Sequence, residues 1–299
     1  MMPVRELLAC WPGVLHREMT GVAQLGDILR ELAQEGVTVL AVNGGDGTIQ
    51  AVVSALLNDG PFDPLPVLAI LPSGKTNMTA HDLGGCAAPG DLLKRLHGLV
   101  DNGRLAEHLV ERRLIGLHRT AGEDPIYGAF FGAAAIVRGI EYARSHVFPL
   151  GLPNFLSHGL TIILILLSLL WPWRRETIGL SDGEEAGEPR HYFVIMATSL
   201  RQLLLGIKPF EGLGLPEDQL HYAAVDYSPG AIWRGLWAVL RGRPRVRRIK
   251  GVVRDAAEKL RLDLDGPVTL DGEMFHPEPG EPMWLSLGKP VTFVHFPKG

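Results

Sequence analysis

The sequence predicts two domains: an N-terminal α/β domain built on a parallel-type sheet, then a β-sandwich-like domain interrupted by helical inserts. Three observations carry this. Twice in the first third of the chain a short apolar run ends in a glycine-containing break and passes into helical periodicity, the rhythm of strand–loop–helix units in a parallel sheet. From about residue 106 the apolar residues come in short extended runs separated by turns, the texture of an antiparallel fold. Finally, 36 Gly and 22 Pro are scattered without a period through 299 residues that are 46% hydrophobic, which excludes a collagen-like repeat and wholesale disorder.

Residues 21–35 place Leu25, Ile28, Leu29 and Leu32 on one helical face, with Thr20 able to cap the start. Residues 37–42 form a continuous, partly β-branched apolar run, expected of a strand buried on both faces. Asn43 to Thr48 breaks that run, and residues 49–57 resume a helical period. The unit then recurs: a strand over 66–71, a loop over 72–75, a short helix over 76–83 and an amphipathic helix over 91–100. Its loops fall at the carboxyl ends of the strands, where open sheets bind ligands. The first domain is expected to span 1–106, the second 107–288, with 289–297 returning to the first. In the second, residues 114–118, 192–198, 221–226, 259–263, 268–270, 283–287 and 291–296 read as strands. Residues 160–171 and a segment beginning near Ser228 and passing through Trp237 read as the helical inserts.

Only Cys10 and Cys86 are present, which excludes a disulfide scaffold and a four-cysteine zinc site. The start MMPVRELLACWPG has no apolar core of about 7–15 residues such as a signal peptide needs, so a reducing, cytoplasmic setting is expected. The net charge of −4 conceals an asymmetry: residues 234–261 carry +8 and the remainder −12. A basic stretch on an acidic chain points to an anionic partner. Nucleic acid is not expected, because it would need a basic patch on the scale of the fold.

The strongest chemical signal is Gly44-Gly45-Asp46-Gly47-Thr48 between an apolar run and a helix. Glycines admit a phosphate close to the backbone, and the N–H groups opening a helix favour an anion. A carboxylate in such a loop repels bare phosphate, so Asp46 fits either a metal-bridged phosphate or a sugar hydroxyl; a simple helix cap is the plain alternative. The second loop, Pro72-Ser73-Gly74-Lys75-Thr76-Asn77, follows the next strand and should lie beside the first. It lacks P-loop spacing, since Ala69 stands where the first glycine would be. Lys75 can face a phosphate, while Thr76 and Asn77 can cap a helix or hydrogen-bond a base or ribose. Far downstream, Asp271-Gly272-Glu273 reads as a tight turn that can present Glu273 as a general base for phosphoryl transfer, or merely close a hairpin.

In this order the three motifs resemble the diacylglycerol kinase catalytic-domain family, which includes bacterial lipid kinases and sphingosine kinases. The family pattern is G-G-D-G-T after a strand, P-x-G-T-x-N-D before a helix and a late D-G-E. Two positions differ: Lys75 stands at the family's Thr and Met78 at its Asp. No N-P-x-S-G loop precedes the first motif, so the chain resembles the family without that segment. The resemblance implies ATP with Mg²⁺ and a lipid substrate. It implies a cofactor site at Gly44, Gly45, Asp46, Gly47, Thr48, Ser73, Gly74, Lys75, Thr76 and Asn77, with Asp46 in the Mg²⁺–phosphate network and Glu273 deprotonating the lipid hydroxyl. NAD kinases share the first motif, but their T-x-T-G-S-T-A-Y run has no counterpart here. A non-catalytic lipid- or nucleotide-binding relative is the alternative from another class, and a homodimer is compatible with either.

Residues 147–173 carry no Asp, Glu, Lys or Arg, but prolines and glycines break the first half. What remains, about a dozen apolar residues over 160–171, is too short to span a bilayer and suits an interfacial or a buried helix. Trp171 and Trp173, with Trp233 and Trp237 before the basic run that includes Arg245, Arg247 and Arg248, fit an anionic membrane surface. The expected location is therefore the inner face of a membrane, peripherally bound.

Overall fold

The computed structural model describes residues 4–11, 13–58, 60–147, 176–203, 206–240 and 248–296. The expected insert at 160–171 and the residues Trp171, Trp173, Arg245 and Arg247 lie outside these. The chain divides into two compact units, Met1–Leu114 with Lys289–Gly299, and Ile115–Gly288.

The first unit opens with α1 (Val4–Ala9) and α2 (Leu25–Gln34). Leu25, Leu29 and Leu32 are buried along α2, as the periodicity requires. Thr20 does not cap this helix: its hydroxyl bonds the Gln24 side chain at 3.1 Å, and a short 3₁₀ turn (Val22–Gln24) leads in. Strand β1 (Val39–Gly44) enters α3 (Asp46–Asn58), and β2 (Val67–Pro72) enters α4 (Met78–Asp82), followed by α5 (Pro89–Asp101). β1 and β2 are parallel in register from Val39↔Val67 to Gly44↔Pro72. β2 is buried from Leu68 to Leu71, but β1 leaves Ala41 and Asn43 exposed. Burial on both faces is thus met by β2 alone; among the described residues β1 pairs only with β2 and is an edge strand. Ala69 and Leu71 pack with Leu92, Leu93 and Leu96 of α5 and with Val294 and Phe296.

The second unit is antiparallel, as read. Its strands include β4 (Ile126–Gly128), β5 (Phe130–Ala134), β6 (Thr177–Asp182), β7 (Pro189–Thr198), β8 (Leu220–Asp226), β9 (Arg248–Ile249), β10 (Val252–Ala257), β11 (Lys259–Asp263), β12 (Val268–Leu270) and β13 (Glu273–Phe275). They run in the order β11-β6-β7-β5-β12-β13, with β8, β10 and β9 branching from β7. The sheet curls around one core that includes Ile115, Phe131, Ile195, Leu260, Leu270 and Leu285. Helices α6 (Ala135–Tyr142) and α7 (Pro229–Leu240) interrupt the strands.

Two strands carry the chain from one unit to the other: β3 (Leu109–His118) and β14 (Met283–Val294). β14 replaces the two strands expected at 283–287 and 291–296. Residues 283–286 pair with β11, and Phe293 pairs with Leu68 of β2; Pro290 lies between these stretches, where its missing N–H does not interrupt either ladder.

Candidate active site

Because β1 and β2 are parallel and end level at Gly44 and Pro72, the two motif loops leave the sheet side by side. Ser73 extends the ladder, its N–H donating to the Gly44 carbonyl at 3.0 Å and its hydroxyl to Asn43 Oδ1 at 2.5 Å. The loops then touch through glycines. A Cβ on Gly74 would lie 2.6 Å from the Gly45 Cα, and one on Gly44 would lie 2.5 Å from the Thr48 Cβ. No side chain fits at either place without displacing its neighbour, so the spacing of the cradle depends on residues that have none.

Asn77 holds the second loop closed. It adopts a left-handed conformation at φ 50°, which Asn tolerates better than most residues. Its Oδ1 accepts from the Gly74 N–H at 2.8 Å while its Nδ2 donates to the Gly74 carbonyl at 2.7 Å. With that side chain committed to its own loop, the cap of α4 comes from the first loop. Asp46, the first residue of α3, accepts from the N–H groups of Met78 at 3.2 Å and Thr79 at 3.4 Å. Asp46 is buried, and that burial pushes its pKa above the usual carboxylate value, although the N–H bonds and the nearby His81 pull the other way. Among the described residues no three His, Cys, Asp or Glu side chains gather where one metal ion could sit.

The third motif is a two-residue hairpin turn between β12 and β13, with Asp271 at φ 52°, Gly272 at φ 91° and Leu270 opposite Glu273. Its two acids do different things. The Asp271 carboxylate accepts from the N–H groups of Ala129 and Phe130 at 2.9 Å each, and the Asp271 N–H returns a bond to the Phe130 carbonyl at 2.8 Å. That pins the turn to β5. Glu273 is instead exposed, with Arg144 Nη2 at 3.9 Å; the same nitrogen donates to the Gly272 carbonyl at 2.6 Å. Arg144 carries no sequence signal, being far from the motif in the chain.

On α7, Ala231 and Ile232 are buried and a Cβ on Gly235 would rest 3.5 Å from Val225. Trp233 and Trp237 face outward, 67% and 50% exposed. Arg248 stands in β9. Among the described residues no helix is long and apolar enough to cross a membrane.

Residues 14–107 match the family model of the diacylglycerol kinase catalytic domain. No curated protein matches the chain. A crystal structure of a diacylglycerol kinase from Bacillus anthracis str. Sterne aligns with TM-score 0.59 at 17% identity, over 98% of this chain and 89% of that one. Another structure from that organism, provisionally assigned the same activity, gives TM-score 0.64 at 18% identity, over 98% and 90%. The fold is therefore shared along almost the whole chain. An NAD kinase from Archaeoglobus fulgidus solved with ATP aligns over 93% and 90% at TM-score 0.43 and 10% identity, too distant for any shared property to follow.

Proposed function

From a chain whose residues 14–107 match the diacylglycerol kinase catalytic domain, we propose that the protein transfers the γ-phosphate of ATP to the hydroxyl of a lipid, of diacylglycerol or sphingoid type. The observation that carries this reading is the pair of glycine loops in contact at the carboxyl ends of β1 and β2. Glycines there let a polyphosphate approach the backbone, and the N-terminus of α3 offers N–H groups to it. In this reading Gly44, Gly45 and Gly47 admit phosphate to the backbone, Thr48, whose N–H is taken by the Gly45 carbonyl, offers its hydroxyl, Lys75 offers a positive charge, and Ser73, Gly74, Thr76 and Asn77 shape the opposing wall.

Asp46 fits a divalent cation. Each carboxylate oxygen accepts one N–H, leaving lone pairs, and Mg²⁺ takes as few as one or two protein carboxylates when phosphate supplies other ligands. A bound cation would also offset the burial that opposes ionisation of Asp46. Mg²⁺, when bound, would neutralise phosphate charge. Glu273 is the general base: its carboxylate takes the proton of the lipid hydroxyl, that oxygen forms the new bond to the γ-phosphorus, and the bond to the bridging oxygen breaks to leave ADP. Arg144, whose Nη2 lies 3.9 Å away, puts a positive charge beside that carboxylate. Because such an acceptor is a membrane component, the reading makes the protein peripheral to the inner face of a membrane.

A non-catalytic binding relative is the second reading, favoured by the engagement of both Asp46 oxygens as a helix cap. The experiment that separates the two follows labelled γ-phosphate from ATP into an organic-extractable product, across neutral lipids and sphingoid bases. Transfer that depends on Glu273 supports the kinase; nucleotide binding without transfer to any lipid supports the alternative.

A further inference from the structure

We propose that the outward face of α7, bearing Trp233 and Trp237, docks on a membrane surface containing anionic lipid. This goes beyond the phosphoryl-transfer reading, and its test needs no turnover, so either can fail alone.

Four observations converge. First, the two indoles are four residues apart on one helix and 67% and 50% exposed, which puts them in a row on the same side. Large aromatic surface is rarely left to water in pairs, and the indole, apolar with one N–H, partitions to the headgroup boundary. Second, the helix is fastened from behind. Ala231 and Ile232 are buried, Gly235 lies against Val225 and Val252, and Arg234 Nε donates to the Lys250 carbonyl at 2.9 Å. The tryptophans are therefore held on a fixed platform, and meeting a flat surface costs little ordering. Third, the helix sequence PGAIWRGLWAVL contains a single charge, Arg234, the composition of an element that lies in an interface. Fourth, Arg241, Arg243, Arg245, Arg247, Arg248 and Lys250 follow it directly, within a stretch of +8 on a chain that is otherwise −12. A run of that sign next to the helix in the chain draws it toward an anionic surface, and the indoles make the contact.

A single-stranded nucleic acid also combines stacking with positive charge, but it tracks a basic groove with bases seated on ring faces. Here the indoles stand on an almost uncharged helix, which favours the lipid surface.

The test is sedimentation of the full chain, without nucleotide, with vesicles of phosphatidylglycerol in phosphatidylcholine or of phosphatidylcholine alone. The wild type is expected to bind the anionic vesicles, and to bind them less as salt rises from about 0.05 to 0.5 M and the screening length shrinks. The double variant Trp233→Ala/Trp237→Ala is expected to bind at least about tenfold more weakly with its melting temperature unchanged, and Trp233→Phe/Trp237→Phe to recover most of the loss. Should the alanine pair lower the melting temperature, brominated phosphatidylglycerol decides: it must quench wild-type tryptophan emission, and each single alanine variant must lower the quenched fraction. Equal binding by wild type and the alanine pair, equal binding to neutral vesicles, or capture of a labelled oligodeoxynucleotide in place of vesicles would each overturn the proposal.

Discussion

The carboxylate of Asp46, at the start of one helix, receives the backbone N–H of Met78, at the start of the next. Met78 needs no polar side chain for this, since the contact runs through its main chain. The carboxylate that is the candidate metal ligand is thereby also the cap that holds the second loop against the first, so a change at Asp46 reports on ligand binding and on loop geometry together.

Asp46→Asn separates the two roles. Burial raises the Asp46 pKa above the ordinary carboxylate value, so the folded chain holds this proton more tightly than the unfolded chain does. The group favours folding below the unfolded value, and that contribution is lost as pH rises through the folded one. Asparagine can accept one of the same N–H bonds without the charge. Without nucleotide, the melting temperature of the variant relative to wild type is therefore expected to improve as pH rises past the ordinary carboxylate range. Saturating ATP with Mg²⁺ should stabilise the wild type, by about 2.7 kcal/mol at a hundredfold excess over Kd, and the variant far less. Equal nucleotide shifts would remove Asp46 from the site.

Gly74→Ala drives a Cβ to 2.6 Å from the Gly45 Cα and 2.9 Å from Asn77 Oδ1. The Gly45 Cα is backbone and cannot swing aside, and the Asn77 amide is held by its two bonds to Gly74, so the loops must part, at about 1–3 kcal/mol. Scanning calorimetry should show a lower melting temperature and a smaller ATP-induced rise. Gly98, inside α5 with nothing within 4 Å of its added Cβ, is the control; its replacement by alanine should stabilise by about 0.5–1 kcal/mol. A Gly74→Ala protein as stable and as responsive to ATP as wild type would mean that the close approach is not what sets the cradle.

Asn77→Gly keeps the left-handed backbone but deletes both side-chain bonds to the Gly74 peptide. A loss of about 1–2 kcal/mol is expected from the two bonds. Asn77→Ala should cost about 1 kcal/mol more, because alanine resists that conformation. Urea titration of the two variants measures the difference, and identical midpoints would show that the backbone angle is easily given up.

The two acids of the third motif should separate cleanly. Asp271→Ala strands the N–H groups of Ala129 and Phe130 and should cost about 1–3 kcal/mol for each one left unsatisfied. Glu273→Gln, at an exposed position, should leave stability within about 0.5 kcal/mol and lower phosphate transfer by at least about a hundredfold. Thermal unfolding and the labelled-phosphate assay read the two effects. Full activity in the glutamine variant would assign the base elsewhere.

The three motifs were legible because each is a short run whose neighbours announce a strand end, and β2 because continuous apolarity means burial on both faces. β1 carries a similar run, yet Ala41 and Asn43 are exposed, since a strand's place in its sheet depends on pairing that no local window contains. The same limit hid the Asp46 cap, the grip of Asp271 on β5 and the approach of Arg144, each of which joins segments distant in sequence. Strand β5 (Phe130–Ala134) and helix α6 carry little local signal, because Gly132, Ala133 and Ala134 dilute the strand preference of the two phenylalanines and the chain turns abruptly at Ala134, φ 58°. β14 was split by Gly288-Lys289-Pro290, a sequence that reads as a turn unless the ladders on either side of it are known.

That last strand sets an order of events during synthesis. The motif loops and their two strands leave the ribosome well before Phe293, the partner of Leu68, and Phe296, whose N–H bonds the Leu83 carbonyl. At about 5–20 residues per second the early segment waits for ten seconds or more, through all of Ile115–Gly288, before its third strand arrives. Leu68, Ala69 and Leu71, fully buried in the folded unit, must meanwhile be sheltered by transient contacts or by chaperones, and a chain cut before Phe293 would leave this apolar strand without that partner.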